Sequence, residues 1–193
     1  MNIRKITEIE IEIAAKKFTE IFYEYKAYDY FITPKNKFEK MYNMFLYEIF
    51  PTYKFTYTIE GYKGLCVMQK PGDEDLVDCY SVEFIRKIKT ILSKQEIEKL
   101  KRYMDFAKDV SKQFFNKKED CYVRNLGVVK DYRGQGIARK LIDELSQSRP
   151  IFLETHDKNN IEIYTNMGFE VVYEEPFEED IIHYCLKRFA KKQ

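Results

Sequence analysis

The stretch from Asn125 to Phe169 constrains this chain more than any other part of it. An apolar strand runs into the loop Tyr132-Arg133-Gly134-Gln135-Gly136-Ile137-Ala138; a helical pattern follows, then a second strand, then Tyr164 four residues before Gly168-Phe169. A strand that enters a glycine-bearing turn at a helix start gathers backbone N–H groups that have no partner within the helix. The helix dipole adds positive potential at the same point. Gly134 and Gly136 remove the Cβ atoms that keep a phosphate away from the main chain, and Arg133 sets a fixed positive charge at the rim. The loop is chemically suited to a diphosphate.

Each kind of glycine-rich phosphate loop demands its own spacing. A P-loop closes its turn with Lys-Ser or Lys-Thr, whereas Ala138-Arg139 follows the glycines here. A dinucleotide fingerprint needs a third small residue in the sixth place of GxGxxG. Counting from Gly134 puts Arg139 there, and no acidic residue closes a second strand about twenty residues on in the expected context. The pattern Arg/Gln-x-x-Gly-x-Gly/Ala is met by Arg133, Gly136 and Ala138.

At these residues the chain resembles the GNAT superfamily of acetyl-CoA-dependent N-acetyltransferases. Val123-Arg124-Asn125-Leu126-Gly127-Val128 is similar to the strand before the loop, and Phe152-Leu153-Glu154-Thr155 to the next strand. Asn160 to Val172 is similar to the closing helix and strand. The resemblance spans roughly residues 120 to 175. Within the superfamily, Leu-Glu-Thr followed by Asn160 and Tyr164 looks most like the branch that includes puromycin N-acetyltransferase. The fold this implies is α/β, with a central mixed, mostly antiparallel sheet flanked by helices.

A chain of 193 residues with 45% hydrophobic content can bury one sizeable core, so one domain over 1–193 is expected. Its acceptor-side half would be about 1–118 and its acetyl-CoA-binding core about 119–193. With 33 basic and 32 acidic residues, the net charge of +1 argues for no nucleic-acid partner. No segment approaches the ~18–20 apolar residues of a membrane span, and the N-terminus lacks an apolar h-region, so no membrane association and a cytoplasmic location are expected. Cys66, Cys79, Cys121 and Cys185 show no close metal-ligand spacing. Three of them sit in apolar runs where a free thiol packs as a small hydrophobe, and no metal is expected.

Residues 3–6 read as a short strand. Thr7-x-x-Glu10 reads as a capping box opening a helix to about Tyr25, with Ile9, Ile13, Phe18 and Phe22 as its apolar stripe. A second helix is predicted from an Asn36 cap to about Phe50, with Pro51 after its end. Tyr53–Ile59 and Tyr62–Met68 form a predicted hairpin about Glu60-Gly61. Val82 to about Phe115 reads as one or two helices with a capping box at Ser93-x-x-Glu96. Then come strand 121–129, helix 135–147, strand 151–155, helix 160–167, and strands near 169–175 and 180–187. Strand and helix alternation in this half predicts a partly parallel sheet.

Amide formation needs an amine stripped of a proton, a donor for the tetrahedral oxyanion, and a proton for the departing thiolate. By resemblance, Leu126, Gly127 and Val128 pair with pantetheine and polarise the thioester. Gly127 marks a bulge, or else admits a close neighbour. The main chain of Arg133, Gly134, Gln135, Gly136, Ile137, Ala138 and Arg139 holds the pyrophosphate. Tyr164 is the expected general acid, its phenol protonated at neutral pH. Asn160, one helical turn before it, reads as a cofactor contact or a helix cap; many relatives place an asparagine where this chain has Asp157. For the base, Glu154, His156 and Glu119 are candidates. Glu154 reads equally as a buried, site-ordering carboxylate, and His156 as an exposed loop residue.

The implied reaction is direct attack of a primary amine, of a small molecule, on acetyl-CoA in a ternary complex, releasing coenzyme A from a monomer or homodimer. Acetylation of a protein N-terminus or lysine, and a non-catalytic CoA-binding sensor, are the alternatives. The aromatics of residues 18–57, among them Phe22, Tyr25, Tyr28, Phe31 and Phe45, read as core or as the lining of an acceptor pocket.

Overall fold

A computed structural model of the chain describes residues 2–73 and 82–190. Among the described residues seven strands form one sheet in the order β1-β2-β3-β4-β5-β7-β6. They are β1 (Ile3–Lys5), β2 (Thr56–Ile59), β3 (Gly64–Gln69), β4 (Cys121–Val128), β5 (Ile151–Thr155), β6 (Glu170–Glu178) and β7 (Ile181–Arg188). Only β4 and β5 run parallel; every other pairing is antiparallel. The α/β architecture with a mixed, mostly antiparallel sheet is therefore the one expected. The helices are α1 (Ile11–Phe22), α2 (Lys26–Phe31), α3 (Lys37–Thr52), α4 (Val82–Ile88), α5 (Lys94–Phe114), α6 (Ile137–Ser146) and α7 (Lys158–Asn166). Among the described residues none is long and apolar enough to cross a membrane.

Period-2 alternation divides the sheet between two cores. Leu65 and Val67 face the layer of α1 to α5, with Phe18, Met41, Phe45 and Ile88. Cys66, Met68, Val123 and Leu153 face α6 and α7, with Ile137, Leu141 and Phe169. Phe152 and Cys185 return to the α5 side, against Val110. Cys66, Cys121 and Cys185 are free and buried, as their apolar contexts predict; Cys79 lies outside the described residues.

Several local expectations shift. The Thr7 capping box closes on Glu10, but a short 3-10 turn over Glu8–Glu10 delays the α-helix to Ile11. The buried stripe becomes Ile11, Ala14, Ala15 and Phe18, at the 3–4 residue spacing of that later start, while Ile9 is 90% exposed. Pro51 lies inside α3 rather than beyond it. Near the C-terminal end its ring disturbs only the last turn, where the Thr52 hydroxyl caps the Glu48 carbonyl at 2.8 Å. Helix α2 was not anticipated. The predicted helix 135–147 starts later, at Ile137, because Gly136 takes the left-handed conformation (φ +73°).

Candidate acetyl-CoA and acceptor site

Strand β4 carries a bulge, and it is at Arg124. Val67 pairs with Asn125 but Met68 with Val123, so Arg124 is the extra residue. The insertion reverses the alternation: Cys121 and Val123, then Leu126 and Val128, all face the α6/α7 side. Glu48 on α3 fastens the bulge, accepting from Arg124 Nε at 2.6 Å and Asn125 Nδ2 at 2.8 Å. Gly127 pairs in regular register with Leu65, which corrects its reading as the bulge marker. A Cβ at Gly127 would lie 2.5 Å from Ile21 Cγ2. The glycine is there because α1 crosses the sheet closely at this point.

Beyond the bulge β4 leaves its parallel neighbour. β5 pairs with β4 only over Cys121–Val123, through Ile151–Leu153. Leu126, Gly127 and Val128 thus line one side of a splay in the sheet, and Glu154 and Thr155 end the other. The open β4 edge offers main-chain groups to an extended ligand.

At the end of β4 a 3-10 turn, Lys130–Tyr132, leads into the loop. Arg133 folds back and donates from Nε to the Val128 carbonyl at 3.2 Å. Gly134 and Gly136 are left-handed (φ +76° and +73°), with nothing within 4 Å of where their Cβ atoms would sit. Main chain is therefore open to approach from outside. The first helical bond of α6 runs from Lys140 N to Gly136 O at 2.9 Å. The amides of Ile137, Ala138 and Arg139 are left without a helical acceptor at the positive end of the dipole. Gln135 Nε2 donates to the Asp131 carbonyl at 3.5 Å. The Arg139 side chain donates to the Asn166 carbonyl at 2.6 Å and ties α6 to the end of α7.

Tyr164 projects from α7 against Phe169, with ring centroids 5.6 Å apart, and packs on the α6/α7-side core. Burial raises its phenol above the ordinary value, with Tyr25 and Cys66 adding to the effect. The phenol therefore holds its proton at neutral pH, and it makes no side-chain hydrogen bond to any described residue.

Helix α7 is capped by Asp157, whose carboxylate accepts from Asn159 N at 2.9 Å. This corrects the reading of Asn160 as the cap. Asn160 instead donates to Thr155 Oγ1 at 3.0 Å. Thr155 Oγ1 is also 3.0 Å from the Tyr25 hydroxyl, which accepts from His156 N at 2.7 Å. Tyr25, Thr155, His156 and Asn160 thus meet at the floor of the splay. Of the aromatic run, Phe22, Tyr28 and Phe45 stack into the α1–α3 core, whereas Tyr25 reaches the site.

Glu154 faces α5. Its carboxylate accepts from Ser111 Oγ and Tyr122 Oη, both at 2.7 Å, and lies 3.3 Å from His183 Nε2. Burial opposes its charge, but His183, Ser111 and Tyr122 together hold it below the usual carboxylate value. This is the ordered, fully partnered carboxylate of the two readings. His156 is not an exposed loop residue: it packs between Tyr25 and Tyr103, with centroids 6.3 and 5.0 Å away, and its Nε2 lies 3.3 Å from His183 Nδ1. Burial, with His183 beside it, pushes the His156 imidazole down to about 4. Glu119 is exposed in the turn before β4. Cys185 Sγ is 3.4 Å from His183 Nε2. Glu48 and His183 escaped the sequence reading; Arg124 was read only as part of the strand before the loop, and Tyr25 only as one of several aromatics. Only a bulge and three-dimensional pairing bring them in, and no local motif marks them.

Residues 106–171 match the acetyltransferase (GNAT) domain model. No curated protein matches the chain by sequence. Among solved structures the fold is similar to that described as histone acetyltransferase HPA2 and related acetyltransferase from Corynebacterium glutamicum, at 13% identity and a TM-score of 0.68, covering 100% of this chain and 97% of that one. Arylalkylamine N-acetyltransferase 2 from Aedes aegypti is similar at 14% identity and a TM-score of 0.61, covering 98% and 99%. The polyamine N-acetyltransferase of Drosophila melanogaster, which forms N-acetylagmatine, is similar at 13% identity and a TM-score of 0.62, covering 97% and 99%.

Proposed function

Starting from a chain that carries a GNAT acetyltransferase domain, we propose that this protein transfers the acetyl group of acetyl-CoA to the primary amine of a small molecule, by direct attack in a ternary complex. The observation that carries the reading is the splay between β4 and β5, followed in the chain by a helix start whose left-handed glycines leave amides bare, with Tyr164 packed on the same α6/α7-side core as Leu126 and Val128. The amides of 134–139, with Arg133 at the rim, cradle the pyrophosphate. The β4 edge at Leu126, Gly127 and Val128 pairs with pantetheine and presents an N–H to the thioester oxygen. Asn160 orders Thr155 at the floor.

Tyr164 donates its proton to the leaving sulfur. Burial suits it to this, because the neutral phenol is the form favoured in a poorly hydrated site. The Leu153-Glu154-Thr155 strand with Asn160 and Tyr164 supports a place beside the puromycin N-acetyltransferase branch. Neighbours of similar fold that act on arylalkylamines and polyamines support a small amine as acceptor.

Release of free thiol from acetyl-CoA over a panel of arylalkylamines, polyamines, drugs and peptides tests the reading. Turnover on a small amine is expected. Turnover on peptides alone moves the assignment to protein acetylation, and tight binding with no turnover anywhere to a sensor. Tyr164→Phe is expected to lower kcat by about 10²-fold, within the ordinary range for a general acid; a kcat that stays within about twofold of wild type removes that role.

A further inference from the structure

The α5 side of the splay holds a line of titratable groups that the reaction as described above leaves unused. Glu154 stands at its buried end, fixed by Ser111 on α5 and Tyr122 on β4. His183 on β7 is wholly buried. His156, at the end of β5, is only half-buried and its main chain is held by Tyr25 at the floor of the splay. We propose that Glu154, His183 and His156 form a relay in which His156 is the general base that takes the proton from the acceptor amine, with His183 and Glu154 as positioning residues. The inference rests on the acetyltransferase reading and assigns the base that reading lacks.

Proton positions follow from what each atom can do. A carboxylate only accepts, so His183 Nε2, 3.3 Å from Glu154 Oε1, carries hydrogen. His183 Nδ1 then presents a lone pair, faced by the Tyr103 hydroxyl and by His156 Nε2, each at 3.3 Å. The relay assigns that lone pair to His156 Nε2–H rather than to Tyr103, which puts the His156 hydrogen on Nε2 and leaves its lone pair on Nδ1, a nitrogen that no described residue hydrogen-bonds. The distances are long, as catalytic hydrogen bonds often are before substrate binds. The groups around His156 are Tyr25 from the turn before α2, Tyr103 from α5, His183 from β7, and Glu154 and Asp157 beside it in the chain. None but the buried His183 can become cationic. Burial keeps the ring neutral and ready to accept, while Glu154 favours the imidazolium once it forms.

The step balances. Nδ1 of His156 takes one proton from the acceptor ammonium, and the freed lone pair forms the C–N bond at the thioester carbonyl. The C–S bond breaks as sulfur takes the Tyr164 proton; the surplus proton on the amide nitrogen returns to the Tyr164 phenolate, and His156 releases its own to solvent.

With acetyl-CoA and 2-phenylethylamine, or whichever panel amine is turned over fastest, His156→Gln is expected to lower kcat by about 10²-fold or more at neutral pH. Its KM for acetyl-CoA should stay within about twofold, since uniform binding is untouched. The acidic limb of kcat/KM, expected below pH 6, should vanish. Glu154→Gln should shift that limb to lower pH, because the charge that favours protonated His156 is gone. An unchanged kcat and acidic limb in His156→Gln overturns the relay.

The sequence holds only two histidines, so long-range proton–nitrogen spectra of the full chain read the relay without turnover, and His156→Gln assigns them. A neutral His156 ring protonated on Nε2 and titrating well below the ordinary ~6.5 supports it. Protonation on Nδ1, or an ordinary titration of His156 in the unaltered chain, overturns it even if Glu154→Gln fails to fold. If no amine is acetylated, the acetyltransferase reading falls, and the spectra alone judge the relay.

Discussion

Gly127 and Arg124 lie on the same strand, and each does what the other's residue type suggests. The glycine sits in regular pairing and yields space to Ile21; the arginine is the extra residue of the bulge, held by Glu48. Gly127→Ala should therefore destabilise the fold by about 1–3 kcal/mol through overpacking, read as a lower urea midpoint with an unchanged slope. Adding Ile21→Ala should return part of the loss, by making room for the new methyl; if the two losses simply add, the close approach is not the cause. A sequence pattern cannot report Ile21, because nothing in β4 marks a helix more than a hundred residues away in the chain. The glycine loop before α6 was legible in outline for the opposite reason: left-handed glycines and a helix start are properties of a few consecutive residues.

Helix α5 shows how a local motif gains a tertiary role. Ser93 and Glu96 close the predicted capping box, with Ser93 N donating to Glu96 Oε2 at 2.8 Å. The other carboxylate oxygen accepts from Thr33 N and Oγ1, both at 2.8 Å, and from Lys40 Nζ at 2.7 Å. Burial resists the charge, yet Lys40 and these donors hold the carboxyl at about 2, below its ordinary 4.5. A depressed carboxyl binds fewer protons folded than unfolded, so its stabilisation is complete above about pH 4.5 and is lost as pH falls toward 2. The urea midpoint should fall across that window. Glu96→Gln should be less stable at neutral pH and lose less on acidification; an equal acid loss in both proteins assigns the effect to other carboxylates. The capping box could be read from four residues, but its partners Thr33 and Lys40 come from α3 and the turn before it. The same limit hid His183, which reaches Glu154 only because β7 inserts between β5 and β6.

At the scale of the molecule, two helical layers cover one sheet that is continuous except where β4 and β5 part. Acetyl-CoA binds only the folded chain on this reading, so ligand at 100 times its Kd should add about 2.7 kcal/mol to the stability. A thermal midpoint that does not move with acetyl-CoA at that excess argues against the binding site as assigned. The order of elements in the C-terminal half was legible because each strand and helix is punctuated by glycine, proline or a cap. The extent of the gap was not, since strand pairing is set by register rather than by composition.

That gap leaves the interior of the sheet with an incomplete ladder, a condition most proteins confine to their margins and disguise there. On the reading proposed above, the ladder is whole only while acetyl-CoA is seated, its pantetheine then serving as a missing length of strand. Amide hydrogens of Leu126–Val128 should therefore exchange with solvent faster than those of Cys121–Val123 in the bare protein and slow markedly once coenzyme A is added. Without ligand the chain carries an unsated edge in its middle, so supplying the nucleotide thioester during purification should curb self-association.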